Sequence, residues 1–267
     1  MMKFNGAVFF DFDGTLVDGA ENILKPTAKT KEAIQRLQDN HYLVGLATGR
    51  AKFYVPPAAL LFDVYVTSNG AAAAADGTCI SNHCIEPEEL KRVTAGLDRI
   101  GMNYALENQE QCFVKDPKER YYLEMMRNFN LDGENFILME NAEFAFHQNI
   151  NKLMVTYDAE AKLEQFRREF SNAYDITGQP GNQACDVGKK GMSKAFGVKK
   201  VMEFYGLDEA DTYAFGDADN DYEMFRTVGF GIAMERHTEK LETVARYVTA
   251  SVKDEGILKA LVHLGLI

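Results

Sequence analysis

The sequence predicts an α/β fold, a mostly parallel sheet interrupted by an inserted α+β module. Three observations carry this expectation. Short apolar runs at residues 7–10, 43–47 and 64–67 each end in small and polar residues, as buried parallel strands do. Between the first two, residues 30–40 place Ala33, Ile34 and Leu37 on one helical face. After Asn82 the texture becomes a mixture of short strands and helices, and the first texture returns near residue 188.

The elements follow in order. Ala7, Val8, Phe9 and Phe10 form a near-continuous apolar run, suited to a central strand covered on both faces. Asp11 and Asp13 follow it, and Gly14 and Thr15 stand where the chain must turn away. The second strand ends at Thr48, Gly49 and Arg50, and the third at Ser68, Asn69 and Gly70. The alanines at 71–75 favour a helix, but Asp76 and Gly77 offer a hairpin turn before Thr78, Cys79 and Ile80, which predicts a strand pair. In the module, helices are expected at 86–100, with Pro87 in the first turn, and at 117–128 and 159–170. Strands are expected at 104–106, 112–114, 153–157, 173–177 and 184–187. The core resumes with a helix at 193–205, closed by Gly206, and a strand at 212–215 leading into Gly216 and Asp217. A helix end and a strand within 224–232, then 244–249 and 257–264, complete the fold. The expected division is a discontinuous core of 1–80 and 188–267 around a module of 81–187.

The 267 residues carry 29 Lys and Arg against 40 Asp and Glu, a formal charge of −11. That field repels nucleic acid and anionic membranes at long range, and neither is an expected partner. It leaves room for a small anionic substrate, because a bound cation reverses the sign locally. No uninterrupted apolar run approaches the roughly 18 residues of a membrane span. Asp11 and Asp13 lie where a secretory signal needs apolar residues, so a cytoplasmic protein is expected, a monomer with a dimer as the alternative. Cys79, Cys84, Cys112 and Cys185 form no CxxC pair and are expected as buried or semi-buried thiols. His83 and Cys84 are adjacent, and adjacent side chains diverge on regular structure, which disfavours a metal site there.

Two acidic clusters carry the chemistry. Asp11 and Asp13, at i and i+2, share one side of an extended chain, and their repulsion calls for a shared cation or proton. Gly216-Asp217-Ala218-Asp219-Asn220-Asp221 also follows a buried strand. Parallel strand ends can meet at one edge, crowding Asp11, Asp13, Asp217 and Asp221, and such oxygen donors suit Mg²⁺. Asp219 is expected to be structural or to support the direct ligands from behind, because one loop cannot aim every carboxylate at one ion. A calcium loop starting at Asp217 would need glutamate where Val228 stands. Thr48 and the backbone of Gly49 could hold phosphoryl oxygens, with a helix start adding positive charge; Thr48 could equally cap that helix. Arg50 is read either as a substrate contact or as the partner of an acidic neighbour. Lys194 opens a helix and could face the acidic strand ends, whereas Lys189 and Lys190 are expected in solvent. The segment around them lacks the closing G-K-[ST] of a phosphate-binding loop.

Taken together, these pieces resemble the haloacid-dehalogenase-like superfamily, and within it the Cof-type phosphatases with a large C2-type cap. Asp11-Phe12-Asp13-Gly14-Thr15 is similar to the first family motif, Thr48-Gly49-Arg50 to the second, GMSK ending at Lys194 to the third, and Gly216 to Asp221 to the fourth, GDxxND. The resemblance covers essentially the whole chain. It implies a Rossmann-like core with an inserted cap and a Mg²⁺-dependent phosphatase for small phosphorylated metabolites, such as sugar phosphates or a phosphorylated cofactor. It implies that Asp11 attacks phosphorus to form an aspartyl phosphate and that Asp13 protonates the leaving alcohol, then deprotonates water. Thr48 would hold a phosphoryl oxygen and Lys194 would offset charge. Asp11, the backbone carbonyl of Asp13, and Asp217 would hold the metal, with Asp221 binding the ion or its waters. Asn220 would orient the Lys194 or phosphate side, and Asn69 and Gly70 would floor the pocket. The family's small Ala-Met-Gly-Asn-Ala stretch reads Ala233-Met234-Glu235-Arg236-His237 here, and Lys194 is followed by Ala195 where glycine is common. Lys152, His147 and Asn149 are unassigned cap candidates. A phosphomutase is the enzymatic alternative. A phospho-accepting signalling domain is the alternative of a different class, although it would need neither Asp13 nor the cap.

Overall fold

Five apolar residues open the fold: β1 (Gly6–Phe10) is buried throughout. The computed structural model describes residues 4–56, 62–129, 131, 135–179 and 181–267. After β1 come α1 (Ala28–Asp39), β2 (Tyr42–Ala47), β3 (Val64–Thr67), β4 (Ala72–Ala75) and β5 (Thr78–Asn82). The alanine run is therefore a strand, since the turn at Asp76-Gly77 overrides its helical propensity. Thr27 caps α1 by accepting the Thr30 N–H at 3.0 Å, and the helix buries Ala33, Ile34 and Leu37.

The next elements are α2 (Pro87–Ile100), β6 (Asn103–Glu107), β7 (Cys112–Val114), α3 (Arg120–Asn128), β8 (Phe136–Leu138), α4 (Ala142–Phe146), β9 (Lys152–Thr156), α5 (Glu160–Phe170), β10 (Tyr174–Gly178) and β11 (Ala184–Lys189). Two of them, β8 and α4, were not expected; each is too short to show a clear period. The helix expected from residue 117 begins at Arg120, because the Glu119 carboxylate accepts the Tyr121 and Tyr122 N–H groups at 3.0 and 2.8 Å. The chain then adds α6 (Lys194–Tyr205), β12 (Thr212–Gly216), α7 (Tyr222–Phe225), β13 (Phe230–Ala233), α8 (Glu239–Glu242), β14 (Tyr247–Val248) and α9 (Gly256–His263).

The chain divides into two compact units. One is Met1–Arg50, Val55–Ser81 and Ser193–Ile267; the other is Ala51–Tyr54 with Asn82–Met192. Among the described residues, the first unit holds one sheet in the order β14-β13-β12-β1-β2-β3-β4-β5. From β14 to β3 every pairing is parallel, and β4 turns antiparallel to β3. Both faces are covered. Val8, Phe10, Leu46 and Phe215 pack with Ile34 and Leu37 of α1, while Ala7, Phe9, Val64 and Ala214 pack with Val198 and Val201 of α6. This is a Rossmann-like α/β core.

The second unit, the cap, is built on a sheet ordered β10-β11-β9-β6-β7-β8. Its pairings are antiparallel except β7 with β8. One face packs on α2 and α5 through Leu90, Val93, Leu97, Leu163 and Phe166. The other carries Ala105, Cys112, Met154 and Ala184, against Tyr122 of α3 and Tyr54 of the short Ala51–Tyr54 segment. Cys112 and Cys185 are buried and Cys84 is half-buried, but Cys79 is exposed, contrary to expectation, because β5 is the edge of the first sheet. No described helix is long and apolar enough to cross a membrane.

Candidate active site

Register explains why residues far apart in sequence meet. In the first sheet, Phe10 of β1 is level with Phe215 of β12 and Leu46 of β2, and Ala47 is level with Val66 of β3. Four adjacent parallel strands therefore end together. Their next residues are Asp217, Asp11, Thr48 and Ser68. The Asp11 N–H continues the ladder to the Phe215 carbonyl at 3.0 Å, which aligns Asp11 beside the β12 end.

Asp11, Asp217 and Asp221 each offer a carboxylate oxygen, and these atoms lie within 4.8 Å of one another. Lys194 enters from the first turn of α6. Its Nζ donates to Asp11 Oδ1 at 2.5 Å and to Asp221 Oδ1 at 2.7 Å, and all three residues are buried. The other oxygen of Asp221 accepts the Asp217 and Ala218 N–H groups at 3.0 and 3.1 Å, closing the loop on itself. The Thr15 hydroxyl donates to Asp217 Oδ1 at 3.3 Å. Gly14 adopts φ +88°, and a Cβ there would lie 2.2 Å from an Asp217 oxygen. Only glycine permits both that turn and that approach.

The electrostatics follow from three carboxylates facing one ammonium. Burial holds the Asp11 carboxyl well above its ordinary range; Lys194 opposes this, and repulsion from Asp221 and Asp217 adds to it. Burial, then Asp221, pushes Asp217 up to about 7, against the pull of Lys194. Burial alone would lower Lys194, but the Asp11 and Asp221 carboxylates outweigh it and raise the ammonium above its ordinary value. The cluster is thus short of positive charge, and its donors are all oxygen. A hard divalent cation fits both features.

Asp13 stands apart from this trio, which corrects the expectation that four aspartates crowd together. The strand ends at Phe10, and the Phe12 carbonyl accepts the Leu16 and Val17 N–H groups at 2.9 and 3.1 Å, so the chain has already turned. The Asp13 carboxylate is instead gripped by Arg50, with Nε to Oδ2 at 2.8 Å and Nη2 to Oδ1 at 2.7 Å. Of the two readings of Arg50, the acidic neighbour is the one observed. Thr48 is buried, and its hydroxyl oxygen accepts the Arg50 N–H at 3.1 Å. The expected helix start at Thr48 is absent; among the described residues the segment that follows has a single turn at Lys52–Tyr54.

The Thr48-Gly49-Arg50 turn interlocks with Ser68-Asn69-Gly70. Ser68 N–H donates to the Arg50 carbonyl at 2.8 Å and Asn69 N–H to the Thr48 carbonyl at 3.1 Å. Ser68 and Asn69 are both left-handed, at φ +51° each, a costly arrangement that this interlock sustains. Gly70 lets β3 meet α6, since a Cβ there would lie 1.9 Å from the Ser193 carbonyl oxygen. Asn220 donates from Nδ2 to Asn69 Oδ1 at 3.5 Å, whereas the partners of Lys194 are Asp11 and Asp221; of the two expected orientations, by way of Lys194 or on the phosphate side, the first is not made. The buried Asn220 Oδ1 has no hydrogen-bond partner among the described residues.

Asp219 is exposed and outside the trio. Arg236 pairs with Asp18 and lies 3.7 Å from Glu21, so the charged 235–237 stretch is tied to the loop after β1. Lys189 is half-buried and Lys190 exposed; both reach solvent, as expected, and form surface pairs with Glu89 at 3.2 Å and Asp175 at 2.7 Å. Among the cap candidates, His147 and Asn149 are exposed. Lys152 is buried, with its Nζ 2.8 Å from Asp186 Oδ1 and 3.2 Å from Glu107 Oε2. Glu107 and Asp186 escaped the sequence reading, although a charge at the end of β6 and another inside β11 were the available signals.

The haloacid dehalogenase-like hydrolase family matches residues 8–261. YkrA of Bacillus subtilis is 30% identical over 264 residues, covering 97% of this chain and 98% of that protein. The 5-amino-6-(5-phospho-D-ribitylamino)uracil phosphatase YwtE of Bacillus subtilis is 26% identical, covering 94% of each chain. Among solved structures, the subclass IIB sugar phosphatase BT4131 superposes with a TM-score of 0.84 at 26% identity, covering 98% of this chain and 100% of the other.

Proposed function

Because the chain belongs to the haloacid dehalogenase-like hydrolases, matched from residue 8 to residue 261, we propose that its acidic strand-end site hydrolyses small phosphate monoesters with Mg²⁺. It is a phosphoric monoester hydrolase, and its chemistry is phosphoryl transfer through an aspartyl intermediate. The observation that carries the reading is Lys194 bridging Asp11 and Asp221 beside Asp217.

Asp11 would attack phosphorus in line and carry the phosphoryl group. Asp13 would donate a proton to the departing alcohol and then accept one from water. Thr48 and the Gly49 backbone would hold phosphoryl oxygens, and Asn69, Gly70 and Asn220 would contact substrate beside them. Arg50 would join them only by leaving Asp13. Lys194 would offset the charge that Asp11 and the phosphate bring together. Mg²⁺, held by Asp11, the Asp13 backbone carbonyl and Asp217, with Asp221 reaching it through water, would neutralise further charge at the phosphate. That division suits the geometry, since both Asp221 oxygens already accept hydrogen bonds.

The substrate is a sugar phosphate or a phosphorylated cofactor, and the subfamily is Cof-type with a C2-type cap. The names of the relatives, a subclass IIB sugar phosphatase and an aminouracil phosphatase, support this reading. The cap would select the leaving group. The test is phosphate release across sugar phosphates, nucleotides, pyridoxal phosphate and flavin mononucleotide, with Mg²⁺, with EDTA, and with Asp11→Asn. Metal-dependent release that vanishes in Asp11→Asn is expected. Isomerised product without phosphate release would instead identify a mutase.

A further inference from the structure

We infer that Arg50 is the positioning residue for Asp13: its guanidinium fork, fixed by the core, aims the carboxylate that handles the proton, rather than binding the substrate phosphate. The inference rests on the proposed role of Asp13.

The geometry is lopsided in a telling way. Arg50 Nε and Nη2 engage both Asp13 oxygens at 2.8 and 2.7 Å, a planar two-point grip. A grip of that kind fixes the plane of the carboxylate as well as its position. Arg50 is the anchored member, with a side chain 13% exposed against 39% for Asp13. Its guanidinium carbon lies 4.7 Å from the centre of the Phe12 ring, and Phe12 is itself buried. Its N–H donates to the Thr48 hydroxyl at 3.1 Å, and its carbonyl accepts from Ser68 at 2.8 Å. So the turn bearing Thr48 also holds the arginine that holds Asp13.

Asp13 needs such help. It lies beyond the end of β1, in a turn closed by a single bridge to Val17, outside the sheet ladder that aligns Asp11. A carboxylate that must serve the leaving alcohol and later the attacking water has to present an oxygen at one place twice. The pair is also neutral overall, so while Arg50 holds Asp13 its charge is already matched and gives a phosphate dianion little attraction.

The experiment compares Arg50→Gln, Arg50→Lys, Asp13→Asn and the double variant Arg50→Gln/Asp13→Asn in single-turnover release of alcohol. The substrates are an alkyl phosphate, whose leaving group needs a proton, and p-nitrophenyl phosphate, whose leaving group does not. Expected is a loss of about 10–100-fold for the alkyl ester in Arg50→Gln, a much smaller loss for the aryl ester, and KM little changed. Arg50→Lys should behave like Arg50→Gln, because one ammonium does not reproduce the two-point grip. The double variant should be no slower than Asp13→Asn alone. Thermal unfolding checks each fold, and Arg50→Lys carries the test if Arg50→Gln is unfolded. Multiplying losses in the double variant, equal losses on both esters, or a raised KM with unchanged kcat would overturn the inference. An Asp13→Asn variant with no leaving-group dependence would overturn the role of Asp13 itself, and full activity in Asp11→Asn would overturn the hydrolase mechanism.

Discussion

Lys194 and Asp221 are both completely buried, and their charged atoms lie 2.7 Å apart. The same ammonium reaches Asp11, so one lysine compensates two carboxylates from different strand ends. Lys194→Met would leave both acids buried without a counter-charge, Asp221 keeping only its backbone N–H partners. The expected cost is about 3–5 kcal/mol, because an uncompensated buried charge retains its desolvation penalty. Denaturant unfolding measures this, and turnover should fall at least about 100-fold. A variant as stable as the wild type would show that the cluster sheds its charge by taking up protons.

Stability and metal binding should share a pH window. The folded state holds a proton on Asp217 up to about pH 7, whereas a free carboxyl releases it near 3.8. A raised acid favours the folded state below 3.8 and loses that contribution as pH rises through about 7. The metal-free protein should therefore lose thermal stability on this account between those values. A metal needs the carboxylates ionised, so the Tm gained on adding Mg²⁺ should grow over the same interval. Asp217→Asn should reduce both effects, with the raised Asp11 keeping its own share, and a pH-independent Mg²⁺ gain in the wild type would contradict the assignment.

Gly14→Ala isolates the turn that follows the nucleophile. The left-handed backbone costs an alanine about 1–2 kcal/mol. The added Cβ would also lie 2.2 Å from an Asp217 oxygen and displace that carboxylate. Expected is a folded protein whose Mg²⁺ affinity, read by calorimetry, is about 10–100-fold weaker. Unchanged affinity would mean that Asp217 is not a ligand.

The cap contains its own charge cluster. Burial raises Glu107, and Lys152 opposes that rise while also pairing with Asp186. Lys152→Met should destabilise the protein by about 3–5 kcal/mol, while Lys152→Met with Glu107→Leu should recover the share owed to Glu107, because an apolar pair carries no desolvation penalty, and leave the share owed to Asp186. Thermal and denaturant unfolding of the two variants decide this; equal losses would show that packing rather than charge is responsible.

Much of the fold was legible because local chemistry agreed with it. The apolar run of β1, the hairpin signal at Asp76-Gly77 and the glycine stop at Gly206 each name an element or its end. What escaped was short or set by side-chain reach. Neither β8 nor α4 spans enough residues to show a period, and α3 starts late because Glu119 bends back to cap it. At the site, the residue types were legible and their partners were not. Asp13 looked like a fourth member of an acidic cluster, yet a tight turn hands it to Arg50.

The sequence by itself determined which residues carry chemistry, because buried strands ending in Asp, Thr and Gly are local patterns written within five or six positions. Only the tertiary structure decided who meets whom. The order β12-β1-β2-β3 sets four strand ends side by side, so Asp11 touches a lysine 183 positions away. The reason is that hydrogen-bonded register is a relation between strands. No single stretch of chain contains it, and burial then fixes the charges that register has brought together.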